Sequence, residues 1–220
     1  MTAVGFEINF FHKMPNESKY KPFSAKDFVH LHLHSDYSLL QSTIQLKPLA
    51  DRLNKLDFKA CAITDYGNMY GAVSFFNTMS YNGIKPIIGY EAYIAPGSRF
   101  ERSSALKAGE KPFYRLVVLA KDLDGYRNLA VLASKAFTEG FLHRPRIDLE
   151  LLAEHSKGLI GLSSGPEEIV GHFLNTGNAQ RALEVAKALE DIFGKGLFYL
   201  EIQDHYEPTA IAATRKIVEF

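Results

Sequence analysis

The sequence has little cysteine, no tryptophan and no excess of charge of either sign. Cys61 is the single cysteine among 220 residues, which excludes an intramolecular disulfide framework and a cysteine-based zinc finger. The 25 basic and 25 acidic side chains cancel, so the chain lacks the overall positive field of many nucleic-acid-binding domains. No apolar run approaches the roughly 20 residues of a membrane span, and the mixed N-terminus does not resemble a signal peptide. We therefore expect a cytoplasmic protein without a membrane partner.

From residue 28 onward, short apolar runs alternate with amphipathic segments. Residues 1–26 show no regular period, so we expect a loosely docked N-terminal arm there and one domain over residues 27–220. The alternation is typical of parallel βαβ units, which build either a barrel or an open doubly wound sheet. The predicted strands are 28–35, 60–64, 86–94, 115–120, 159–163 and 198–203. The predicted helices are 47–56, 68–81 capped by Asn68, 124–140 capped by Asp124, 167–174, 178–193 capped by Asn178, and 209–220.

The strongest chemical signal is a pair of histidines, His32 and His34, at the end of the first predicted strand. Residues two apart on a strand point to the same side, so both imidazoles can face one metal ion. Further ligands would have to come from the ends of other strands, where Glu91 and the pair Asp204 and His205 are candidates. The alternative is two buried, hydrogen-bonded imidazoles with no metal.

A rival interpretation comes from residues 161–165, which fit the G-x-S-x-G pattern between a strand and a helix. Asp191 or Asp204, followed by His205, would complete a serine hydrolase triad in chain order, but no oxyanion loop is visible.

The loop 95–112 carries four basic and two acidic side chains, which favours a solvated loop over a phosphate contact.

Several motifs occur in the order found in one known family. They are FVHLHLHSDYSLL from residue 28, AITDYGNMYG from 62, IGYEAY from 88, GYRNL from 125, PRID from 145 and LEIQDH from 200. Over residues 28 to about 207 the chain resembles the polymerase and histidinol phosphatase (PHP) domain at the N-terminus of bacterial DNA polymerase III alpha subunits. The resemblance implies an α/β fold, a distorted (βα)7-type PHP barrel that is truncated here before its last strand. It also implies a metal cluster at the strand ends, similar to phosphoesterase sites that support 3′–5′ exonuclease proofreading.

The family's metal ligands carry over to this sequence only in part. His32, His34 and Glu91 match ligand positions. The last Asp and His of the family lie on a seventh strand that this sequence does not reach. The other matched positions hold residues that differ from the family's Asp, His, His and Cys, and these are Gln41, Tyr66, Arg115 and Gly165.

The substituted residues are poor metal ligands. Gln41 is neutral, and the phenol of Tyr66 has an ordinary pKa near 10, so it stays protonated at pH 7. Arg115 is a permanent cation, and Gly165 has no side chain. The resemblance therefore implies a degenerate metal site. We hypothesise that Arg115 pairs with Glu91 and converts the site into an ion pair.

By this resemblance, the parent protein is a DNA-directed DNA polymerase, a nucleotidyltransferase of DNA replication, and this segment alone is expected to be inactive. Its role would be structural or subunit docking, with no cofactor of its own. The implied partners are the remainder of the alpha subunit, a proofreading exonuclease subunit, and DNA through the parent protein. The alternative is an active metal-dependent phosphoesterase or 3′–5′ exonuclease with zinc or manganese, whereas magnesium would belong to a polymerase region that this sequence does not contain.

Overall fold

A computed structural model describes residues 28–102, 111–203 and 208–220 of the chain. The predicted N-terminal arm, residues 1–26, lies outside these ranges, as do Asp204 and His205. None of the described helices is both long and apolar enough to cross a membrane. The helices are α1 (Leu46–Lys55), α2 (Ala72–Tyr81), α3 (Leu123–Thr138), α4 (Leu149–Glu154), α5 (Gly171–Asn175), α6 (Ala179–Phe193) and α7 (Pro208–Glu219).

The described strands form one mixed sheet in a mixed α/β fold. The strands are β1 (Ala60–Ile63), β2 (Lys85–Ile94), β3 (Tyr114–Ala120), β4 (Arg146–Ile147), β5 (Leu159–Leu162) and β6 (Phe198–Tyr199). Their order is β1-β2-β3-β5-β6, with β4 paired to β2 off this path.

The expectation of parallel βαβ units throughout is wrong for β3. This strand runs antiparallel to both of its neighbours, β2 and β5, while β1 with β2 and β5 with β6 are parallel. A parallel return needs a crossover, usually a helix, that carries the chain back to the starting edge. The connection from β2 to β3 has no helix in its described part, and the chain re-enters the sheet from the edge at which β2 ended.

The predicted first strand, residues 28–35, is also wrong as a regular strand. Its described residues form only a single bridge, from His30 to Cys61. The N–H of Ala62 donates to the carbonyl of His30 (2.8 Å), and the N–H of Thr64 donates to the carbonyl of Leu33 (2.7 Å). The offset between partners changes by one residue between these two bonds, as at a bulge, which interrupts the ladder. The segment therefore follows β1 without forming a regular ladder.

Two of the predicted helix caps are wrong, and one is confirmed. Asn68 does not cap α2, which begins at Ala72; its side chain instead accepts from the N–H of Tyr70 in the preceding turn. Asp122, not Asp124, caps α3 and accepts from the N–H of Gly125 (2.9 Å). The cap is the last residue with extended backbone, and Asp122 has that conformation. Asn178 caps α6 as expected.

The short elements were the hardest to predict. The pair β4 and α4 was missed, and the sixth strand is two residues long instead of six. The helix predicted over 167–174 covers only Gly171–Asn175. A hydrophobic period needs several residues to show itself, and two-residue strands are too short to provide one.

The sheet buries both of its faces. Along β3, Leu116 and Val118 point into the main core against α3 to α7, while Val117 and Leu119 point to the opposite face. A second cluster packs α1 and α2 against β1. Successive strand residues alternate between faces, so a single strand serves both cores.

The face opposite the main core carries the polar positions of interest. Tyr90, Ala92 and Ile94 of β2 belong to the main core, which places Glu91 and Tyr93 on the other side. In the antiparallel register, Tyr93 lies directly across from Arg115. We call the side of β2 and β3 that carries Glu91, Tyr93 and Arg115 the site face.

Candidate functional site

The three residues predicted as metal ligands, His32, His34 and Glu91, meet on the site face. Nε2 of His34 lies 2.8 Å from Oε2 of Glu91, and Nε2 of His32 lies 3.1 Å from the same oxygen. One donor atom from each residue falls within 4.8 Å of the others. The extended segment beside β1 supplies the two imidazoles, and β2 supplies the carboxylate.

Glu91 is an ionised carboxylate in a buried position. Its side chain is 1% exposed. Burial alone would raise its pKa, but contacts with His32 and His34 and the charge of Arg115 lower the pKa to about 2. The negative charge is therefore retained at neutral pH because cations and donors surround it.

His32 bridges two carboxylates. Its Nδ1 lies 2.7 Å from Oε1 of Glu201, which follows β6. Burial lowers the pKa of His32, but the contacts with Glu201 and Glu91 outweigh burial and raise it to about 9. At pH 7 the imidazole is accordingly protonated and links the first extended segment to the far edge of the sheet.

Two atoms of this bridge lack a well-aligned hydrogen bond. Nε2 of His32 and Oε2 of Glu201 are buried without such a partner among the described residues, although Nε2 keeps its ion-pair contact with Glu91. Buried polar atoms normally find partners, so their presence in one place marks an unusual local environment.

Arg115 occupies the space beside the two histidines and Glu91. Its Nε lies 3.7 Å from Oε1 of Glu91, which confirms the predicted pairing. A closer carboxylate, Glu168, accepts from Nη2 at 2.6 Å and from the Arg115 backbone N–H at 2.9 Å. Burial lowers the pKa of Arg115, yet the bond to Glu168 and the charge of Glu91 raise it overall. Sequence analysis missed Glu168, which lies 53 residues further along the chain.

Tyr66 lies against the same group. Its ring stacks on His34 with 3.8 Å between centroids, and the Arg115 guanidinium lies 5.2 Å from the ring centre. Burial, followed by the charge of Glu91, raises the pKa of its phenol. Tyr66 therefore stays neutral and acts as a packing surface for His34 and Arg115.

The other two substituted positions lie at the margin. Gln41 is exposed, and its side chain hydrogen-bonds the Tyr93 side chain. Gly165 has φ +125°, and a Cβ built there would lie 2.8 Å from Oε1 of Gln203. The space beside Gly165 is thus taken by the Gln203 amide.

A buried aspartate fixes the turn that carries the histidines. Asp65, 1% exposed, accepts from the Ser35 backbone N–H (2.7 Å), the Ser35 hydroxyl (2.8 Å) and the Ser38 hydroxyl (2.6 Å). Its oxygens are engaged in holding the backbone after His34. The signal for this role was the Ser-x-x-Ser spacing after His34, with Asp65 at the end of the next strand.

The hydroxyls of the G-x-S-x-G segment are not arranged for hydrolysis. Ser163 is fully buried, and its hydroxyl accepts from the backbone N–H of Glu201 (2.8 Å). Within the described ranges no imidazole is bonded to Ser163 or Ser164. His205, the third residue of that hypothesis, lies outside them.

The donor set fits one metal ion better than a cluster. Tetrahedral ligand atoms about 2.0 Å from zinc lie about 3.3 Å apart. The nitrogens of His32 and His34 lie 3.1 and 2.8 Å from Glu91 Oε2, at hydrogen-bond distances that are shorter than this spacing. Arg115 instead places a permanent cation 3.7 Å from the other oxygen of Glu91, where a further ion would be repelled.

Comparison with known proteins defines the class of this domain. The PHP domain family matches residues 30–205, which is most of the chain. The chain therefore belongs to the PHP domain family.

Curated relatives point to one kind of parent protein. The DNA polymerase III subunit alpha of Treponema pallidum is 47% identical over 178 residues, covering 81% of this chain. Those of Aquifex aeolicus and Thermus aquaticus are 38% identical over 198 residues (89% of this chain) and 42% identical over 203 residues (90%). The chain spans 15%, 17% and 16% of the lengths of these three relatives.

Proposed function

We propose that this chain is the PHP domain of a bacterial replicative DNA polymerase III alpha subunit, over residues 27–220, with a degenerate metal site and a structural or subunit-docking role. The support for the polymerase assignment is the match to three alpha subunits across most of the chain. DNA-directed DNA synthesis would belong to the parent protein and its own magnesium-binding region.

The observation that carries the degenerate site is the position of Arg115. Its guanidinium contacts Glu91 and Glu168, and the resemblance implies metal ions beside Glu91 in the family. A cation held by two carboxylates performs the charge neutralisation that metals would otherwise provide. The group of His32, His34, Glu91 and Arg115 would then hold β2, β3 and the segment after β5 together and would have no catalytic role.

The partners in this proposal follow from the relatives. The remainder of the alpha subunit would pack against this domain in the cytoplasm, and DNA would be reached through the parent protein. A separate proofreading exonuclease subunit would dock on the assembled polymerase. Co-purification of the chain with the remaining part of the alpha subunit, expressed separately, tests the first of these contacts.

Elemental analysis of the purified chain tests the degenerate site. We expect at most one weakly held ion per chain after gel filtration. A triple variant with Gln41→Asp, Tyr66→His and Arg115→His restores the family's donor types and should gain bound zinc or manganese. Two or more ions in the unaltered chain would contradict the proposal.

The control for that variant makes the same substitutions elsewhere. Gln180→Asp, Tyr81→His and Arg127→His fall on exposed helical positions. This variant should bind no additional metal. Equal metal uptake by both triple variants would mean that added histidines bind metal anywhere on the surface, and the restored site would lose its support.

A second candidate function, a metal-dependent phosphoesterase or 3′–5′ exonuclease, is favoured by one observation. The Glu201 carboxylate holds Nδ1 of His32, which leaves Nε2 facing His34 and Glu91. Metal-ligating histidines are commonly oriented by a carboxylate in this way. His32, His34 and Glu91 would hold one zinc or manganese ion, and a bound ion supplies activated water for phosphodiester attack.

Nuclease assays separate the two candidates. We expect no 3′–5′ exonuclease or phosphatase turnover above the level of a His32→Ala/His34→Ala variant, with and without added manganese. Turnover that needs manganese and disappears in His34→Ala would establish the second candidate. A variant of the half-buried His155 serves as the matched control for losing an imidazole, because His155 lies at the end of α4 and outside the His-His-Glu group.

A further inference from the structure

The outer face of α2 is apolar and is left open by the described part of the chain. Val73 and Phe76 are three residues apart, so they share one side of the helix, and they are 63% and 52% exposed. Tyr70, in the turn before α2, continues this surface to Phe137 near the end of α3, with 6.2 Å between the two ring centres. We call the exposed side chains of Tyr70, Val73, Phe76 and Phe137 the α2 patch.

Charge is missing from this part of the sequence. Residues 66–84, which include α2 and its flanks, contain no charged side chain. The exposed side of α6, by contrast, carries charges of both signs, among them Arg181, Glu184 and Lys187. A helix of a soluble domain normally turns a polar and charged face to water. An apolar patch without charge is instead typical of a surface that another segment or protein covers.

Residue 28, the first that the structure describes, lies close to the end of α2. Phe28 packs against Phe58, which follows α1, with 6.3 Å between ring centres. His30 bridges to β1, and β1 pairs in turn with β2 from Lys85 onward. Phe28 and Lys85 therefore lie at the same end of the sheet, and Lys85 follows α2 after a short turn. The chain before Phe28 thus enters the fold beside the C-terminal end of α2.

The composition of the chain before Phe28 fits the patch. Residues 3–11 carry a single charge, on Glu7. Their apolar side chains are Ala3, Val4, Phe6, Ile8, Phe10 and Phe11. Residues 12–27 are polar and carry six charges, so they suit a connection that stays in water. At about 3.5 Å a residue they span at most roughly 55 Å, whereas α2 is about 15 Å long, so residues 3–11 can reach the whole patch.

We propose that residues 3–11 of this chain dock on the α2 patch and cover it. The apolar side chains of this segment bury Val73 and Phe76, which no charge on α2 opposes. The connection through residues 12–27 makes the contact intramolecular, at an effective concentration on the order of millimolar, so a weak contact is enough. This proposal goes beyond the domain's assignment to a polymerase and does not depend on it.

Disulfide trapping in the intact chain tests where the segment lies. Asn9→Cys with Asn77→Cys places one thiol in the segment and one on the exposed side of α2, and it leaves every apolar side chain in place. Asn9→Cys with Gln180→Cys is the matched control, because Gln180 is exposed on α6, which packs beside β5 and β6, away from β1. A domain of this size is about 45 Å across, so the connection reaches both positions. Cys61 does not compete because it is fully buried.

The rate of disulfide formation decides the outcome. In oxidised glutathione at low protein concentration, we expect the pair at positions 9 and 77 to close within one chain about tenfold faster than the control pair, because docking raises the local concentration of one thiol at the other. Equal rates for the two pairs would mean that the segment has no preferred position. Disulfides between chains at position 77 would assign the patch to a second copy. Either result overturns the proposal.

A dye that fluoresces on apolar surfaces measures the cover itself. Phe6→Ser with Phe10→Ser weakens the segment, so it should uncover the patch and raise the dye fluorescence severalfold. Adding Val73→Ser and Phe76→Ser should remove this rise, because the newly uncovered surface is then polar. Unchanged fluorescence in the first variant would show that residues 3–11 do not cover the patch, and the proposal would fail.

The matched control for the patch adds Val218→Ser and Phe220→Ser to the segment variant instead. These are the same two residue types, and both are exposed at the end of the described chain, in and after α7. The rise in fluorescence should persist in this control, and thermal melts should show that all the variants fold. Loss of the rise in the control as well would mean that the dye reports apolar surface in general, and the assignment to α2 would be overturned.

Discussion

Two regions of the molecule each hold an arginine between two carboxylates, yet they differ in how completely their buried polar atoms are hydrogen-bonded. One is the site face, with Arg115 between Glu91 and Glu168. The other, which we call the Arg99 cluster, holds Arg99 between Glu139 (2.7 Å) and Asp148 (3.0 Å).

The Arg99 cluster is fully hydrogen-bonded and connects three parts of the chain. Asp148 accepts from the Arg99 backbone N–H (2.8 Å) and guanidinium, and it also caps α4 by accepting from the N–H of Leu151 (3.0 Å). Burial opposes the charge of Arg99, but the bond to Glu139 and the charge of Asp148 raise its pKa overall. One cation thus ties the loop after β2 to α3 and α4.

The side chains at the site face are less completely hydrogen-bonded. Four buried side-chain atoms in the described part of the chain lack a hydrogen-bond partner, and two of them, on His32 and Glu201, belong to the histidine bridge. None belongs to the Arg99 cluster. The histidine bridge is therefore less completely hydrogen-bonded than the Arg99 cluster.

The largest expected effect lies in the Arg99 cluster. Asp148→Ala removes the cap of α4 and leaves a buried arginine with one carboxylate, so the free energy of unfolding should fall by about 4 kcal/mol. Chemical denaturation measures this loss. Glu150→Ala is the control, because Glu150 lies 3.9 Å from Arg99 but is 77% exposed. A loss below about 1 kcal/mol for Asp148→Ala would show that the cluster does not stabilise the contact of the loop after β2 with α3 and α4.

A smaller loss is expected on the site face. Glu91→Ala removes the carboxylate shared by His32, His34 and Arg115, but Arg115 keeps Glu168 and His32 keeps Glu201. The free energy of unfolding should fall by about 3 kcal/mol. If Glu91→Ala costs as much as Asp148→Ala, the partners that remain do not compensate, and the contrast between the two regions fails.

The pH dependence of stability should distinguish the two regions further. The pKa of His32 is raised from 6.5 to about 9, so its stabilisation is complete below pH 6.5 and is lost as the pH rises through 9. The pKa of Glu91 is lowered from 4.5 to about 2, so its contribution is complete above pH 4.5 and is lost as the pH falls through 2.

The free energy of unfolding should therefore decrease by about 3 kcal/mol between pH 6.5 and 9.5. His32→Gln should remove this decrease, while Glu139→Gln in the Arg99 cluster should keep it. Urea titrations at several pH values measure both. If the free energy of unfolding of His32→Gln still decreases between pH 6.5 and 9.5, His32 is not the titrating group.

The smallest expected effect is that of Tyr66→Phe. The substitution keeps the ring that stacks on His34 and removes only the hydroxyl. The free energy of unfolding should change by about 0.5–1 kcal/mol, the value of one hydrogen bond. Tyr66→Ala, which removes the stack as well, should cost clearly more in the same melts.

The residues of the site could be predicted from the sequence because their local patterns are strong. Two histidines lie two residues apart, and Glu91 lies alone within an apolar run. These patterns predicted side chains on one side of a sheet. The pairing of Arg115 with Glu91 followed from opposite charges at positions that the family brings together, and the structure confirms it.

The rest depended on contacts that local patterns do not contain. Glu168 follows β5 in a turn, so no period placed it beside Arg115. The antiparallel direction of β3 depends on how the chain returns from β2, and composition alone does not fix a return path. The bridge from His32 to Glu201 spans 169 residues, and only the folded sheet brings its two ends together.

Gly165 has a consequence for how this site can change by mutation. A side chain there would have to adopt a φ of +125° and displace the Gln203 amide, whose oxygen lies 2.8 Å from the position of the new Cβ. A substitution of Gly165 by cysteine should therefore lower the stability of the fold through the backbone conformation alone. Because the amide oxygen is the far end of a flexible side chain, Gln203 can turn aside, and the strained φ is the larger obstacle to any side chain at position 165.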